Sequence, residues 1–265
     1  LFSVSSYSQD NTKSDIEFTS DSLEVDENNN LMIAKGNVVI KSEKEIIKAD
    51  SVKYDITPPD FVNIAPEAGS YVNSTIVKFT NTEKLSSASV IWERIDGEED
   101  KNSPHTIDIP SEYFETGEQE TSNISTPNLI NGAVYRLTLN GRDLAGNLSG
   151  VVYHNMNYDI ENPELNITYP LQNPAINNTD IGYEISEQLG SATIKYTWLS
   201  GVEDGNSPHV INIDQRSLPE GITERYPLNP APFLVDGGVY KIELEGIDRA
   251  GNKSNISNRE SILYD

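Results

Sequence analysis

The chain carries a long internal repeat. Residues 79–109 align without a gap on residues 183–213 at an offset of 104. Glu83, Leu85, Ala88, Gly97, Asp100, Asn102, Ser103, Pro104 and His105 recur as Glu187, Leu189, Ala192, Gly201, Asp204, Asn206, Ser207, Pro208 and His209. One inserted residue moves the offset to 105, and residues 131–147 then align on 236–252. Each unit opens with Tyr-Asp-Ile and a proline: Tyr54-Asp55-Ile56 before Pro58, and Tyr158-Asp159-Ile160 before Pro163. A repeat of this length is that of a whole domain, so each unit reads as a domain of its own. The chain stops at Tyr264-Asp265, the pair that opens a unit, so it reads as a piece of a longer array.

Within a unit the pattern is that of strands. Tyr240, Ile242 and Leu244 alternate with Lys241, Glu243 and Glu245, a period of two with one wet face. Tyr135, Leu137 and Leu139 alternate in the same way with Arg136, Thr138 and Asn140. In the second unit, strands are expected near 164–169, 180–185, 191–198, 209–213, 223–228, 239–248 and 256–263. Seven short strands separated by turn signals read as an Ig-like sandwich. Trp92 and Tyr196 hold equivalent positions in the third strand and are expected in the core. Ala-Gly-Asn at 145–147 and 250–252 is a turn in which glycine takes a positive φ. A hydrophobic fraction of 36% suits several thin sandwich cores better than one thick one.

Composition removes several functions. Lys and Arg total 19 against 42 Asp and Glu, a formal charge of −23, which argues against nucleic acid and against anionic lipid as partners. There is no cysteine, hence no thiolate chemistry and no disulfide. No apolar run is long enough for a transmembrane helix. Leu1-Phe2-Ser3-Val4, followed by Ser6-Tyr7-Ser8, reads as a signal-peptide remnant and leader over residues 1–13.

The Asp-x-Ala-Gly-Asn turn, the Asn-Ser-Pro-His segment and the proline linkers resemble bacterial Ig-like repeats of secreted and cell-surface proteins. Residues 14–55 are different. Ile16 and Phe18 alternate with Glu17 and Thr19, and Leu23 and Val25 follow with the same period. Asn28-Asn29-Asn30 is a turn, Leu31–Ala34 a strand, Gly36-Asn37 a kink, and Val38–Ile40 a further strand, with Ile46 and Ile47 leading into another. Residues 20–26, 34–40 and 49–55 resemble the LptA/OstA-like family (organic solvent tolerance N-terminal domain) of lipopolysaccharide-transport proteins. That resemblance implies an open β-jelly roll whose apolar groove holds acyl chains and whose units stack edge to edge. It covers only part of the length such a domain needs. The expected architecture is all-β: a short jelly-roll-like segment at 14–55, then Ig-like sandwiches at 56–158 and 159–265.

Catalysis finds little support. The sequence has no nucleophile elbow, no phosphate-binding glycine loop and no His-Glu-x-x-His. His105 and His209 are repeat equivalents and read as fold features, and His154 stands apart from any motif. Calcium is the best ligand candidate, because Ca²⁺ takes six to eight oxygens from carboxylates, amides and carbonyls. In an Ig-like topology the turn between the last two strands lies at the pole where the linker enters. That places Asp159 near Asp248 and Asn252, and Asp55 near Asp143 and Asn147. The acidic loops 96–100 and 201–205 are a second oxygen-rich candidate. The functional expectation is a non-enzymatic exported envelope or surface protein, in the periplasm, at the outer-membrane surface or outside the cell. Its repeats act as spacer and adhesive modules toward a surface protein or glycan. One alternative is a lipopolysaccharide-transport component that binds lipid A or stacks on a partner jelly roll; another is an accessory region of a larger exported enzyme.

Overall fold

Two turns and a bend shape the first sheet of the computed structural model, which describes residues 17–41, 45–124, 126–172, 174–213 and 218–265. The signal-peptide reading and the alternation at Ile16 lie outside the described residues. Strands β1 (Glu17–Thr19), β2 (Ser22–Asp26), β3 (Leu31–Lys41) and β4 (Ile46–Asp55) form one antiparallel sheet. β3 is its spine. β2 pairs with the first half of β3 and β1 with the second half, while β4 runs along the whole of the other edge. The sequence reads two strands around a kink at Gly36-Asn37; the structure has one strand carrying a bulge there, with φ of 73° and 47° at the two residues. A side chain at residue 36 would meet the Asp21 carboxylate, which also accepts a hydrogen bond from Asn37 Nδ2 at 2.9 Å.

Directly opposed residues on neighbouring strands share a face. Leu23, Ala34 and Val52 form one such row, and Val25, Met32 and Tyr54 the next. Little covers them. Ala34 and Val38 are buried, whereas Val25 is 55% and Ile46 60% exposed. Among the described residues, both hydrophobic core clusters lie elsewhere.

The first sandwich comprises β5 (Phe61–Ala65), β6 (Tyr71–Val72), β7 (Lys78–Asn81), β8 (Leu85–Gly97), β9 (His105–Asp108), β10 (Gly117–Glu120), β11 (Ala133–Asp143) and β12 (Leu148–Tyr158). Its sheets have the orders β10-β7-β5 and β6-β12-β11-β8-β9. The second comprises β13 (Leu165–Tyr169), β14 (Ala175–Ile176), β15 (Ile181–Ile185), β16 (Leu189–Gly201), β17 (His209–Ile213), β18 (Gly221–Tyr226), β19 (Gly238–Asp248) and β20 (Ser257–Tyr264). Its orders are β13-β15-β18 and β14-β20-β19-β16-β17, the same plan. Each sandwich therefore has one strand more than its sequence suggests: the two-residue β6 and β14, which pair parallel to β12 and β20. Two residues are too few to show a period.

The alternating strands bury the expected faces. Tyr240, Ile242 and Leu244 are at most 1% exposed, as are Tyr135, Leu137 and Leu139. Trp92 and Tyr196 are fully buried at the centre of their cores. Trp92 meets Tyr135 edge to face with ring centroids 6.2 Å apart, a geometry worth about 1 kcal/mol beyond area burial. The described residues contain no α-helix, and no helix is long and apolar enough to cross a membrane.

Candidate functional site

The two linkers are built alike. At the first, the Asp143 carboxylate accepts the Asn147 backbone N–H at 2.8 Å and Asn147 Nδ2 at 2.7 Å. The same Nδ2 donates to the carbonyl of Asp55 at 2.9 Å and to that of Thr57 at 3.1 Å. At the second, Asp248 accepts the Asn252 N–H at 2.8 Å and Asn252 Nδ2 at 2.7 Å, and that Nδ2 donates to the Asp159 carbonyl at 2.9 Å. Gly146 and Gly251, with φ of 95° and 98°, let the chain turn tightly enough for asparagine to reach back to aspartate. Asp55 and Asp159 each close their own turn, accepting the N–H of Thr57 at 2.9 Å and of Glu161 at 3.0 Å. The Thr57 N–H holds the Asp55 carboxyl below its ordinary value.

All six predicted residues thus gather in two trios at the two joints. The asparagines present amide hydrogens to the acids, so they clasp the joint, and the oxygens left for an ion are those of carboxylates. At the second joint the carboxylates of Asp159, Asp248 and Glu187 lie within 4.8 Å of one another. Glu187 recurs from Glu83, and that recurrence is the signal by which it was findable; no local motif marks it. Burial first, then the charges of Asp159, Asp248 and Glu161, push the Glu187 carboxyl up to about 7, and it hydrogen-bonds Asp159. Glu83 is raised for the same reasons, burial ahead of Asp143 and Asp55. Among the described residues, the first joint has no group of three carboxylates this close. Three carboxylates beside a polar cleft of about 610 Å³, lined by Tyr71, Asn131, Tyr158 and Glu161 among others, form an oxygen-rich corner of the kind a hard cation takes.

The second joint carries two further contacts. The Arg249 guanidinium lies 4.0 Å from the centre of the Tyr71 ring, and Asn73 Nδ2 donates to Asn252 Oδ1 at 3.0 Å. At the first joint the Tyr54 hydroxyl donates to the Ala145 carbonyl.

Each acidic loop commits one aspartate to the fold. Asp100 is buried and accepts from His105 Nε2 at 2.7 Å, from the Tyr135 hydroxyl at 2.8 Å and from the Asn102 N–H at 2.9 Å. Asp204, His209, Tyr240 and Asn206 repeat the set at 2.7, 2.8 and 2.9 Å. Burial acts to raise the Asp100 carboxyl, but the bonds from His105 and Tyr135 outweigh it and hold it below its ordinary value. Both histidines are spent as pins for their loops. His154 lies exposed on β12.

The remaining candidate surface is the first sheet, with its apolar rows and open edges. Residues 17–99 match the family described as LptA/(LptD N-terminal domain) LPS transport protein. The match begins at β1 and runs past β4 as far as the end of β8. Among solved structures the chain is similar to the FN1-FN3 domains of chicken CNTN1, at 11% identity over 89% of this chain and 75% of that one, with a TM-score of 0.38. It is also similar to the fibronectin(III)-like modules of Clostridium thermocellum CbhA, at 14% identity over 78% of this chain and 93% of that one, with a TM-score of 0.39. No curated protein matches.

Proposed function

We propose that the chain is a non-enzymatic exported envelope protein in which two Ig-like modules space and orient an LptA-like sheet. The observation that carries this reading is the repeated joint. The same Asp–Asn clasp ties the sheet to the first module and the first module to the second, so successive units are held at fixed angles rather than on slack tethers. The match over residues 17–99 supports placement in the envelope. Proline at 58, 59 and 163 stiffens both linkers. A divalent cation, calcium by the all-oxygen donor set, belongs to this reading at Asp159, Glu187 and Asp248, where it would replace a proton.

A second reading is favoured by one feature, the partly exposed apolar rows of the first sheet. There the sheet itself handles lipopolysaccharide or stacks on a partner jelly roll. Binding of fluorescent lipopolysaccharide to the full chain, and to its Val25→Glu variant, separates the two. The spacer reading expects no saturable binding by either. Saturable binding that Val25→Glu abolishes would overturn it in favour of transport.

A further inference from the structure

Strand edges expose unpaired backbone groups, and most edges of this chain are blunted. β2 carries Glu24 and Asp26, β4 carries Lys48, Asp50 and Lys53, β10 carries Glu118 and Glu120, and β18 carries Glu224 and Arg225. β5 is broken by a positive φ at Asn63, where its register with β7 jumps. β13 is sealed by side chains from the neighbouring segment. Asn255 accepts the Leu165 N–H at 2.7 Å and donates to its carbonyl at 3.0 Å. Ser257 accepts the Ile167 N–H at 2.9 Å, and Arg259 donates to the Ile167 carbonyl.

The first sandwich lacks that seal. By their pairing with β11 and β19, the residues equivalent to Asn255, Ser257 and Arg259 are Ser149, Val151 and Tyr153, and among the described residues none of the three bonds β5. β6 reaches β12 only at Asn157 and Tyr158, and the Gly69 N–H takes the His154 carbonyl. Among the described residues, no backbone hydrogen bond reaches the outer edge of 148–153. That stretch carries no charged side chain in a chain of net charge −23. Leu148 and Val152, on its outer face, are 64% and 49% exposed. Their neighbours across β11 are Arg142, Asn140 and Thr138, so no carboxylate sits beside them in this part of the sheet.

We infer that the outer edge of β12 pairs antiparallel with the β12 edge of a second copy of this chain, on a two-fold axis at Gly150. Such an axis stands perpendicular to the sheet and keeps each face on its own side, so residue i can oppose residue j only when i and j share a face. Centring on Gly150 satisfies this. It sets Leu148 opposite the second copy's Val152, and Val152 opposite its Leu148. The two glycines meet at the axis, where no side chain holds the strands apart. The exposed apolar pair is thus complementary to itself, and two five-stranded sheets become one. β17 is a second uncharged edge, but the same operation there sets Val210 against Asn212 and buries no apolar pair.

A single strand pair buries less than the ~1,200 Å² of a standard interface, so the dimer is weak and concentration-dependent. Sedimentation velocity of the chain up to about 1 mM, a range suited to weak contacts, should show the 29.3 kDa species passing to twice that mass. Val152→Lys, on an exposed site, should abolish the shift, and Val210→Lys should leave it intact. The chain has no cysteine, so Gly150→Cys gives a clean second readout. Its Cβ would crowd the flexible end of Asn140 and touch the Leu139 carbonyl at ordinary contact distance. Opposed Cα atoms ~4.5–5.5 Å apart lie within disulfide reach, and mild oxidation should give a covalent dimer. A monomer at every concentration with no crosslink would overturn the inference, as would a dimer lost equally with Val210→Lys. Lipopolysaccharide binding is read separately, so failure here leaves the proposed function standing.

Discussion

Replacing Glu187 by glutamine should stabilise the second sandwich at high pH and do almost nothing at low pH. Glu187 stands among Asp159, Asp248 and Glu161, and its carboxyl is raised from 4.5 to about 7. The folded protein therefore holds a proton between pH 4.5 and 7 that the unfolded chain releases. The stability linked to that proton is fully present below about 4.5 and is lost as pH rises through about 7. A shift of about 2.5 units at ~1.4 kcal/mol each gives a ceiling of about 3.5 kcal/mol, and partial exposure of the group brings it nearer 1.5. For a module of this length that is a Tm change of roughly 5–10 °C. The assay is thermal unfolding of the wild-type chain and of Glu187→Gln in EDTA at pH 4.5 and pH 8.5. The expected result is coincident transitions at the lower pH and a higher second-module Tm for the variant at the upper. Equal Tm values at pH 8.5 would refute the reasoning, because they would mean that the carboxylates do not repel one another across the joint.

Calcium at millimolar concentration should raise the wild-type Tm at pH 8.5 and have a smaller effect on Glu187→Gln; calorimetry showing no heat of binding would remove the cation from the joint. Asn252→Ala deletes the amide bonds to Asp248 and Asp159 and should cost about 1–2 kcal/mol, with small-angle scattering reporting a looser second joint while both cores stay folded. Trp92→Ala should cost the first module about 3–5 kcal/mol and leave the second module's unfolding transition in place; a shift of both would show that the modules unfold as one. Asp204→Asn should remove the acid-labile part of the loop's stability, which in the wild type is present above about 3.8 and lost as pH falls below it, since, against the cost of burial, Asp204 is held below that value by His209, the Asn206 N–H and Tyr240; titration by circular dichroism below pH 4 measures it.

Much of the architecture was readable because burial and period coincide. Tyr240, Ile242 and Leu244 announce a half-wet strand, and the offset of 104 carries that reading to the other module. The joints were readable for a related reason: an aspartate and an asparagine spaced across a glycine turn can only reach each other at the pole the linker enters. What escaped was information held between distant residues. Glu187 belongs to the joint by packing, and nothing beside it in the chain says so. The orientation of the Asn252 amide depends on Asn73, which lies in the preceding module. β6 and β14 exist because β12 and β20 offer an edge to them. The unbroken β3 follows from Asp21 gripping the bend at Gly36-Asn37, a contact across a turn that alternation alone does not reveal.

β4 ends in Tyr54-Asp55 as β12 ends in Tyr158-Asp159, and each Asp carbonyl receives the same asparagine amide. The upstream partner supplies only the end of a strand. What lies behind that end, a bent open sheet in one case and a closed sandwich in the other, is invisible to the clasp. The coupling is therefore modular in the engineering sense: unlike parts share one fitting, and a lineage can exchange the part without redesigning the module that receives it.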